Sequence, residues 1–407
     1  MNTTFKKYLQ LCEDMSKCDT EVIPLCAAQT HISDFCKKAL ISNFEGKYSF
    51  VDKEGHNSFI GGEYVERLNK LLSEECKKLF GASYSNADTL TGINCFTVCA
   101  MSMLDRTQSV LVTTPEQGGH PSIPVILDTL GIRYHSMPYN FLKRQIDYSE
   151  VNRLLKKYIY DFLIFCQSDI LDPPDLSKLV IPPDSGIIYD CTQTLGLIAG
   201  KVLENPLMYK NCILLGGAHK TLPAPSCGLI MTNTDTYADK LKEFITPHFL
   251  RNTQPNHIAS LLLSLIEQEK YGEQYQTKTV AIANSLGEKL EEIGFNVAKI
   301  NDKTFSRTHQ LFILMNKNET DKFFYNAQKY NVSLNKKHKK LFNESGIRLG
   351  TQHIARYNWA EEEIIALSQL LHYIFLGDKY KDEILKIRSW LIQRKIPCFE
   401  YSGIIIE

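Results

Sequence analysis

The chain has 407 residues, with 46 basic and 46 acidic side chains, so its formal net charge at pH 7 is zero. This balance argues against binding to nucleic acid or to an anionic membrane, since both favour a basic protein. The length suits two domains with a substantial core. No apolar run is long enough for a signal peptide or a bilayer span, so we expect a cytoplasmic protein with no membrane partner.

Twelve cysteines are scattered along the chain, several of them in apolar runs. Free thiols behave in this way when they serve as small hydrophobic residues in a reducing compartment. Cys95 and Cys99 are four residues apart, but no cluster of histidines and cysteines completes a metal set. We therefore expect free thiols and no metal site.

The first predicted element is a helical arm over residues 1–22. Phe5, Tyr8, Leu9 and Cys12 have helical spacing, which predicts a helix that packs on the body. The next clear signal is the pair Thr91–Gly92, which opens a helix. Free N–H groups and the dipole at a helix N-terminus favour a bound phosphate, although Thr89 or Thr91 could cap the helix with no ligand.

Short apolar runs alternate with helical patterns through the first 250 residues or so. This alternation predicts an α/β fold, with a parallel sheet, right-handed crossovers and a ligand at the carboxyl ends of the strands. The predicted strands are Ser109–Val112, Arg133–Tyr139, Phe162–Ser168, Gly186–Asp190, Cys212–Leu215 and Gly228–Met231, and the helices include Ser122–Leu130, Tyr148–Lys157 and Tyr237–Ile245.

Lys220 lies between two of these strands, after the Gly216–Gly217 break. A desolvated lysine loses its proton easily and can form a Schiff base, whereas the alternative is an exposed lysine on a loop tip. Asp190 ends the preceding strand, and pyridoxal phosphate needs an acid at its ring nitrogen. The lysine and the aspartate together favour the Schiff base.

The C-terminal part begins with a long predicted helix, His257–Glu292, that leads into a smaller domain. Its predicted strands are Asn296–Ile300, His309–Met315 and Val332–Asn335, and its closing helices are Ala360–Phe375 and Asp382–Arg394. We therefore predict an arm over residues 1–22, a large domain over 23–256, and a linking helix with a small domain over 257–407.

Four motifs resemble the serine hydroxymethyltransferase family of fold-type I pyridoxal phosphate enzymes. They are Gly118–His120, Asp190 at its strand end, His219–Thr221 and Ser345–Thr351. The resemblance implies an aspartate aminotransferase-like α/β fold. A mostly parallel seven-stranded sheet would lie between helices, beside a smaller C-terminal α+β domain. It also implies pyridoxal phosphate as the cofactor and a homodimer.

The resemblance assigns roles to individual residues. The implied catalytic residues are Lys220, His120, Asp190 and His219. The implied cofactor-binding residues are Thr91, Gly92, Ile93, His120, Ser168, Asp190, Gln193, His219 and Lys220. Arg348 would hold the substrate carboxylate, and Tyr48 would reach a neighbouring subunit's substrate, unless Tyr48 is an ordinary half-buried aromatic. His120, His219 or an acid among Asp52–Glu54 would move the proton.

Several positions depart from the family pattern. Gln193 stands in place of a histidine, Gly217 of a threonine, and Pro223 and Ser226 of arginines. Phe59–Ile60 replaces a Tyr–Tyr pair, and the loop Thr246–His257 lacks the family's glycines. We therefore expect the imine chemistry to be intact and the folate site to be altered.

The resemblance implies a transferase or aldolase that acts on glycine, serine or threonine through an external aldimine and a Cα carbanion. We expect it to be folate-independent and to serve a specialised pathway. The alternatives are a standard folate-dependent serine hydroxymethyltransferase, a pyridoxal phosphate aminotransferase, decarboxylase or racemase, and a decayed homologue without catalysis.

Overall fold

The computed structural model describes residues 2–52 and 54–403, apart from the side chain of Pro247. Its helices are α1 Thr3–Glu21, α2 Asp34–Leu40, α3 Gly62–Phe80, α4 Gly92–Met103, α5 Ser122–Leu130, α6 Tyr148–Lys157, α7 Leu195–Ala199, α8 Asp235–Glu243, α9 Pro255–Glu292, α10 Lys317–Lys329, α11 Gln352–Ala355, α12 Glu361–Leu376 and α13 Lys381–Ile392. Its strands are β1 Ile23–Pro24, β2 Tyr84–Asn86, β3 Ser109–Val112, β4 Arg133–Ser136, β5 Tyr139–Asn140, β6 Gln145–Ile146, β7 Phe162–Phe165, β8 Gly186–Asp190, β9 Cys212–Gly217, β10 Gly228–Thr232, β11 Gln310–Leu314, β12 Val332–Ser333, β13 Asn335–Lys337 and β14 Gly346–Gly350.

The chain forms two compact units. One combines the residues up to Ala27 with Lys278–Cys398, and the other combines Ala28–Thr277 with the C-terminal segment from Phe399. The boundary lies inside α9, whereas the sequence suggested a boundary before this helix. Because α9 is one continuous helix, it contributes to both units.

The larger unit, from Ala28 to Thr277, contains a seven-stranded sheet with the order β2-β10-β9-β8-β7-β3-β4. The strands from β9 to β4 in this order are parallel, and β10 is antiparallel to both of its neighbours. This arrangement confirms the predicted mostly parallel sheet. Its central strands are apolar along their whole length because helices cover both faces.

Two apolar cores lie against the two faces of this sheet. One core contains side chains from α4, α5 and α8, and the other contains side chains from α3, α6, α7 and α9. Because strands β3, β7, β8 and β9 run parallel to one another, they end at one shared edge of the sheet. The loops after β3, β7 and β9 carry His120, Ser168 and Lys220 at this edge, and Asp190 is the last residue of β8.

The smaller unit contains a three-stranded antiparallel sheet with the order β11-β14-β13, and a separate parallel pair, β1 and β12. Arg348 lies on the central strand β14, opposite Phe312 on one side and Asn335 on the other. Helices α10, α12 and α13 belong to the same unit. This part is α+β, as the sequence predicted.

The predicted strand over Asn296–Ile300 is wrong. The segment shares only two backbone hydrogen bonds with β11, from Leu314 to Asn296 and from Ala298 to Phe312. Val297 forms a single isolated bridge with Ile313. The ladder stops there because the chain turns back on itself at Ile300, whose N–H donates to the carbonyl oxygen of Thr304.

The N-terminal helix α1 has the predicted extent, but the expected packing on the body is wrong. None of its residues is buried, and its large apolar side chains are exposed. All twelve cysteines are free thiols, as expected, and nine of them are buried. Within the described residues, no helix combines the length and apolarity that crossing a membrane requires.

Candidate active site

A cavity of about 270 Å³ opens at the shared carboxyl edge of the parallel strands. All nine residues that the sequence suggested for cofactor binding line it: Thr91, Gly92, Ile93, His120, Ser168, Asp190, Gln193, His219 and Lys220. Cys166, Gln167, Thr192 and Ser226 complete the lining. Five separate segments of the larger unit thus meet at one point.

The loop after β9 holds Lys220 at the wall of this cavity. Lys220 is half-buried, while the residues that follow it, Thr221–Pro225, are buried. The Thr221 hydroxyl donates to the carbonyl oxygen of Gln193 at 3.0 Å and accepts from the N–H of Gly196 at 3.1 Å. These contacts anchor the loop directly beside the lysine, so Lys220 is not an exposed residue on a loop tip.

Asp190 stands at the end of β8, one strand away from the lysine loop. One carboxylate oxygen accepts the N–H of Thr192 at 2.8 Å. Desolvation by the surrounding protein raises the pKa of Asp190, although the hydrogen bonds of Thr192 and the charges of Lys220 and His120 lower it in part. A cation at this carboxylate would favour its ionised form.

The loop that carries His120 is pinned to the loop after β7. The His120 N–H donates to the carbonyl oxygen of Cys166 at 2.9 Å, and the Ser168 N–H donates to that of Gly118 at 2.6 Å. A Cβ atom at Gly119 would lie 2.1 Å from the carbonyl oxygen of Thr113, so only glycine fits there. The two loops therefore hold His120 and Ser168 together in the cavity wall.

The N-terminus of α4 forms another part of the wall. Thr91 caps the helix, since its hydroxyl accepts the N–H of Asn94. This cap leaves the first N–H groups of the helix without a helical carbonyl partner, as at any helix start. A Cβ at Gly92 would lie 2.4 Å from Thr192 Oγ1 and 2.8 Å from the nitrogen of Gly217. The helix start is thus pressed against the end of β9.

The imidazole of His219 lies close to Gly217, within 3.4 Å of the place where a side chain at that position would begin. Its Nδ1 atom is buried and has no hydrogen-bond partner within the described protein. Burial, and then the charge of Lys220, lower the pKa of His219 to about 4. His219 is therefore neutral at pH 7 and carries one unused hydrogen-bonding atom.

Arg348, Tyr48 and the candidate acids are not among the described residues that line this cavity. Arg348 belongs to the smaller unit, is 5% exposed, and donates to Asn335 Oδ1 at 3.1 Å. The exposed ring of Tyr48 packs against Phe59 with their centroids 5.3 Å apart. Asp52 and Glu54 are exposed beside His56.

The predicted set of cofactor-binding residues left out four residues that line the cavity: Cys166, Gln167, Thr192 and Ser226. For Thr192 the sequence did carry a signal. Its hydroxyl oxygen accepts the N–H of Gly217 at 2.9 Å, and its own N–H donates to Asp190. Its place two residues after the strand-ending aspartate was the available signal. Cys166 and Gln167 follow β7 within an apolar run and carried no such signal.

Comparisons with known proteins agree on a family. A model of the serine hydroxymethyltransferase family matches residues 2–371. Serine hydroxymethyltransferase of Picrophilus torridus is 30% identical over 94% of this chain and 90% of its own length. The enzyme of the same name from Methanothermobacter marburgensis is 27% identical over 94% of this chain and 92% of its own length.

A solved structure has the same fold. L-threonine transaldolase from Pseudomonas fluorescens matches with a TM-score of 0.87 and 18% identity, over 98% of this chain and 96% of that chain. This likeness establishes the fold-type I architecture.

The cavity suits pyridoxal phosphate. Lys220 would supply a nucleophile for its aldehyde, Asp190 would supply an acid for its ring nitrogen, and the start of α4 would favour its phosphate. The unpartnered Nδ1 of His219 is a further polar atom that such a group could satisfy. The chain belongs to the serine hydroxymethyltransferase family and is a pyridoxal phosphate-dependent enzyme of the transferase or aldolase type.

Proposed function

We propose that this enzyme makes or breaks the Cα–Cβ bond of a small β-hydroxy amino acid without the help of folate. The observation that carries the proposal is the cavity itself. It gathers Lys220, Asp190, His120 and His219 around the start of α4, so the groups needed for chemistry at Cα are together. Several of the positions that differ from the family pattern, among them Phe59–Ile60, would face folate.

When bound, pyridoxal phosphate supplies an electron sink for the Cα of an amino acid. Lys220 holds this cofactor through Nζ, and Asp190 holds the ring nitrogen. The Thr192 N–H keeps the Asp190 carboxylate oriented, because it donates to one oxygen at 2.8 Å. Asp190 must be ionised for this role, and the nearby charges of Lys220 and His120 support the ionised form.

The two histidines have different parts in this proposal. Nδ1 of His120 accepts the N–H of Ser122 at 3.2 Å, so in the neutral ring the proton is on Nε2. His120 can therefore offer a proton at Nε2. His219 is neutral at pH 7 because of its lowered pKa, and so it offers a hydrogen bond rather than a charge. Asp52 or Glu54 of a second subunit remains an alternative proton carrier.

Arg348 holds the substrate carboxylate. Its planar guanidinium matches the two oxygens of a carboxylate, and because Arg348 is buried its charge is less screened by water. Asn335 orients the guanidinium through the contact of 3.1 Å with Nη2. Replacement by lysine would keep the charge and lose the paired geometry.

Two observations support folate independence. Pro223, which stands in place of a family arginine, is buried, and Ser226 donates to the carbonyl oxygen of Leu90 at 3.3 Å. Neither side chain can offer a guanidinium to folate. The likeness to an L-threonine transaldolase agrees with chemistry that exchanges an aldehyde at Cα, although at 18% identity this likeness establishes only the fold.

The second candidate is standard folate-dependent hydroxymethyl transfer, which the names of the curated relatives favour. The two candidates differ in one experiment. The purified enzyme is incubated with L-serine or L-threonine, with and without tetrahydrofolate, and glycine formation is measured. Turnover of L-threonine that is indifferent to tetrahydrofolate, and exchange with an added aldehyde, support the proposal. Serine cleavage that strictly requires tetrahydrofolate contradicts it.

We also propose that the active unit is a homodimer. Tyr48, Phe59 and Ile60 are exposed, with Ile60 completely so. These apolar side chains, and the loop Thr246–His257, would complete the neighbouring subunit's site across a two-fold axis. Sedimentation of the active enzyme as a monomer would contradict this assembly.

A further inference from the structure

Two buried glutamine side chains of α9, Gln268 and Gln276, lie between this helix and the loop that carries Lys220. Nε2 of Gln276 donates to the carbonyl oxygen of Thr221 at 2.9 Å and to Oε1 of Gln268 at 3.1 Å. Thr221 directly follows Lys220 in the chain. Helix α9 therefore contacts the lysine loop at the residue next to the lysine.

The chemistry of these contacts sets the orientation of the Gln276 amide. Both atoms that face its Nε2 are acceptors, namely the Thr221 carbonyl oxygen and Oε1 of Gln268. An amide turned by half a rotation would bring its own oxygen against the Thr221 carbonyl, acceptor to acceptor. The Gln276 amide group therefore serves this carbonyl as a donor.

Glycines allow the close approach of α7 to this contact. A Cβ atom at Gly196 would lie 2.3 Å from the Thr221 carbonyl oxygen and 2.7 Å from Nε2 of Gln276. A Cβ atom at Gly200, which follows α7, would lie 2.7 Å from Cγ of Gln276. The hydrogen bond between α9 and the lysine loop is thus enclosed by α7, with no room for another side chain.

Stability alone does not account for this pair of glutamines. Nε2 of Gln268 and Oε1 of Gln276 are buried and have no hydrogen-bond partner within the described protein. A buried polar atom without a partner has lost its hydration and gained nothing in return. Two apolar side chains of the same size would avoid this cost. The use of the pair therefore lies in what it holds.

The pair holds the backbone beside Lys220. The Thr221 carbonyl is held by Gln276, and the Thr221 hydroxyl is held by the bonds to Gln193 and Gly196 described above. A residue fixed at both groups leaves the preceding residue little freedom. Since a lysine has many rotamers, the direction of its Cα–Cβ bond decides which of them bring Nζ into the cavity.

We propose that Gln276 is a positioning residue for the reaction of Lys220, and that Gln268 orients its amide. Gln276 acts through the Thr221 carbonyl and is not among the described residues that line the cavity. The inference deepens the proposed function and rests on its assignment of Lys220 as the residue that holds pyridoxal phosphate. Loss of the Gln276 amide should slow the joining of Lys220 to the cofactor, even in a protein as stable as the parent.

The test begins with Gln276→Met and Gln268→Met, made singly and together, because methionine resembles glutamine in shape without its polar group. Gln276→Met deprives both the Thr221 carbonyl and Gln268 of a partner, so the cofactor-free variant should unfold at a lower urea concentration than the parent. The double variant also removes the polar atoms of Gln268. Its urea midpoint should therefore return towards that of the parent.

The second measurement is the rate at which each cofactor-free protein joins added pyridoxal phosphate, followed by visible absorbance. In this step the neutral amine of Lys220 forms a C=N bond to the aldehyde carbon, and the aldehyde oxygen leaves as water with both amine hydrogens. Gln276→Met and the double variant should both react about tenfold more slowly, because a displaced group loses its alignment. Gln268→Met keeps the contact with Thr221 and should react faster than either.

The double variant separates positioning from stability. If its rate recovers together with its urea midpoint, the stability of the fold sets the rate, and the proposal is overturned. If its rate stays as low as that of Gln276→Met while its urea midpoint recovers, the contact with Thr221 sets the rate, as proposed.

Ser264 offers a matched control on the same helix and the same loop. Its buried hydroxyl donates to the carbonyl oxygen of Pro223 at 3.0 Å. Ser264→Ala should lower the urea midpoint and keep the rate within about twofold of the parent's, because the ring of Pro223 fixes φ at that point of the loop. A loss of rate equal to that of Gln276→Met would show that any bond between α9 and the loop suffices, and it would overturn the particular role of Gln276.

Borohydride reduction and peptide mapping of the same proteins distinguish this inference from the proposed function. If the parent carries the cofactor on a lysine other than Lys220, both the proposed function and the inference fail. If the parent and the variants carry it on Lys220 and join it at equal rates, the proposed function stands and the inference fails.

Discussion

The imidazole of His219 is held neutral by its surroundings, and this has a consequence for stability. The pKa of His219 falls from 6.5 to about 4, first because of burial and then because of Lys220. Between these two pH values the unfolded chain binds a proton that the folded chain does not. The stability that depends on the neutral ring is therefore complete above about pH 6.5 and is lost as the pH falls towards 4.

The first prediction compares His219→Gln with the parent protein, both freed of cofactor. Glutamine keeps a polar group and cannot bind this proton. The free energy of unfolding of the variant, from urea titrations, should therefore fall less steeply than that of the parent between pH 6.5 and 4. His248→Gln, at an exposed histidine, is the control and should keep the parent's slope. Equal slopes for His219→Gln and the parent would refute the neutral assignment.

At the scale of elements, the approach of α4 to the end of β9 shapes the cavity. Gly92 has no room for a side chain, because Thr192 Oγ1 and the nitrogen of Gly217 are within 2.8 Å of its missing Cβ. The same contact sets the position of the first helical N–H groups. A change here should act on cofactor affinity before it acts on the fold.

Gly92→Ala is therefore expected to push the start of α4 away from the cavity. We predict at least a tenfold loss of pyridoxal phosphate affinity, and a loss of about 1–3 kcal/mol in the free energy of unfolding. The measurements are an absorbance titration with the cofactor and a urea titration. Met101→Ala, at an exposed position near the other end of α4, is the matched control. An unchanged affinity in Gly92→Ala would show that the contact does not set the site.

The sequence predicted some elements to the residue and missed others. Ser109–Val112, Ser122–Leu130, Tyr148–Lys157 and Gly186–Asp190 have the predicted bounds. Their patterns arise from burial along the segment itself, so they can be read locally. The segment Asn296–Ile300 is equally apolar in places but lacks a long partner ladder. The π-helical turn Phe244–Phe249 after α8 likewise depends on packing that the sequence does not display.

At the scale of the whole molecule, the C-terminal segment returns to the larger unit. The N–H of Tyr401 donates to the buried carboxylate of Glu267 at 3.0 Å, and the Cys36 thiol donates to the same carboxylate at 3.5 Å. Burial, and then the Glu267 charge, raise the pKa of the Cys36 thiol to about 12, so it stays a donor. The Tyr401 ring also contacts Phe35 and Tyr271.

A chain that ends at Cys398 should be less stable than one that ends at Gly403. It loses the Tyr401 N–H that faces a buried carboxylate, and it loses the ring contacts. We expect the free energy of unfolding to fall by about 2–4 kcal/mol. The two truncated chains are compared by urea unfolding. A difference below about 0.5 kcal/mol, the usual size of a surface effect, would show that the segment does not contribute.

The sequence predicted more of the residues in the candidate site than of the contacts between segments that hold them in place. Lys220 and Asp190 were found because one follows a strand, the other ends a strand, and each has a chemical use, whereas His120 was found through the resemblance to the family. Parallel strands bring such ends to one edge. Thr192 was not found, although it follows the strand-ending Asp190 by two residues. The fit of Gly92 against Gly217 was not found because a close contact between segments more than a hundred residues apart leaves no local pattern. The roles of Arg348 and Tyr48 are still proposals.

Lys220 is the residue on which the whole assignment depends, since we propose that it holds pyridoxal phosphate. Borohydride reduces the double bond between a lysine and this cofactor and makes the attachment permanent. Peptide mapping of the reduced holoenzyme by mass spectrometry should find the cofactor on Lys220. Lys220→Arg should carry none, and Lys201→Arg, at an exposed lysine, should be labelled like the parent. Label on a different lysine, or a protein that takes up no cofactor, would contradict the assignment.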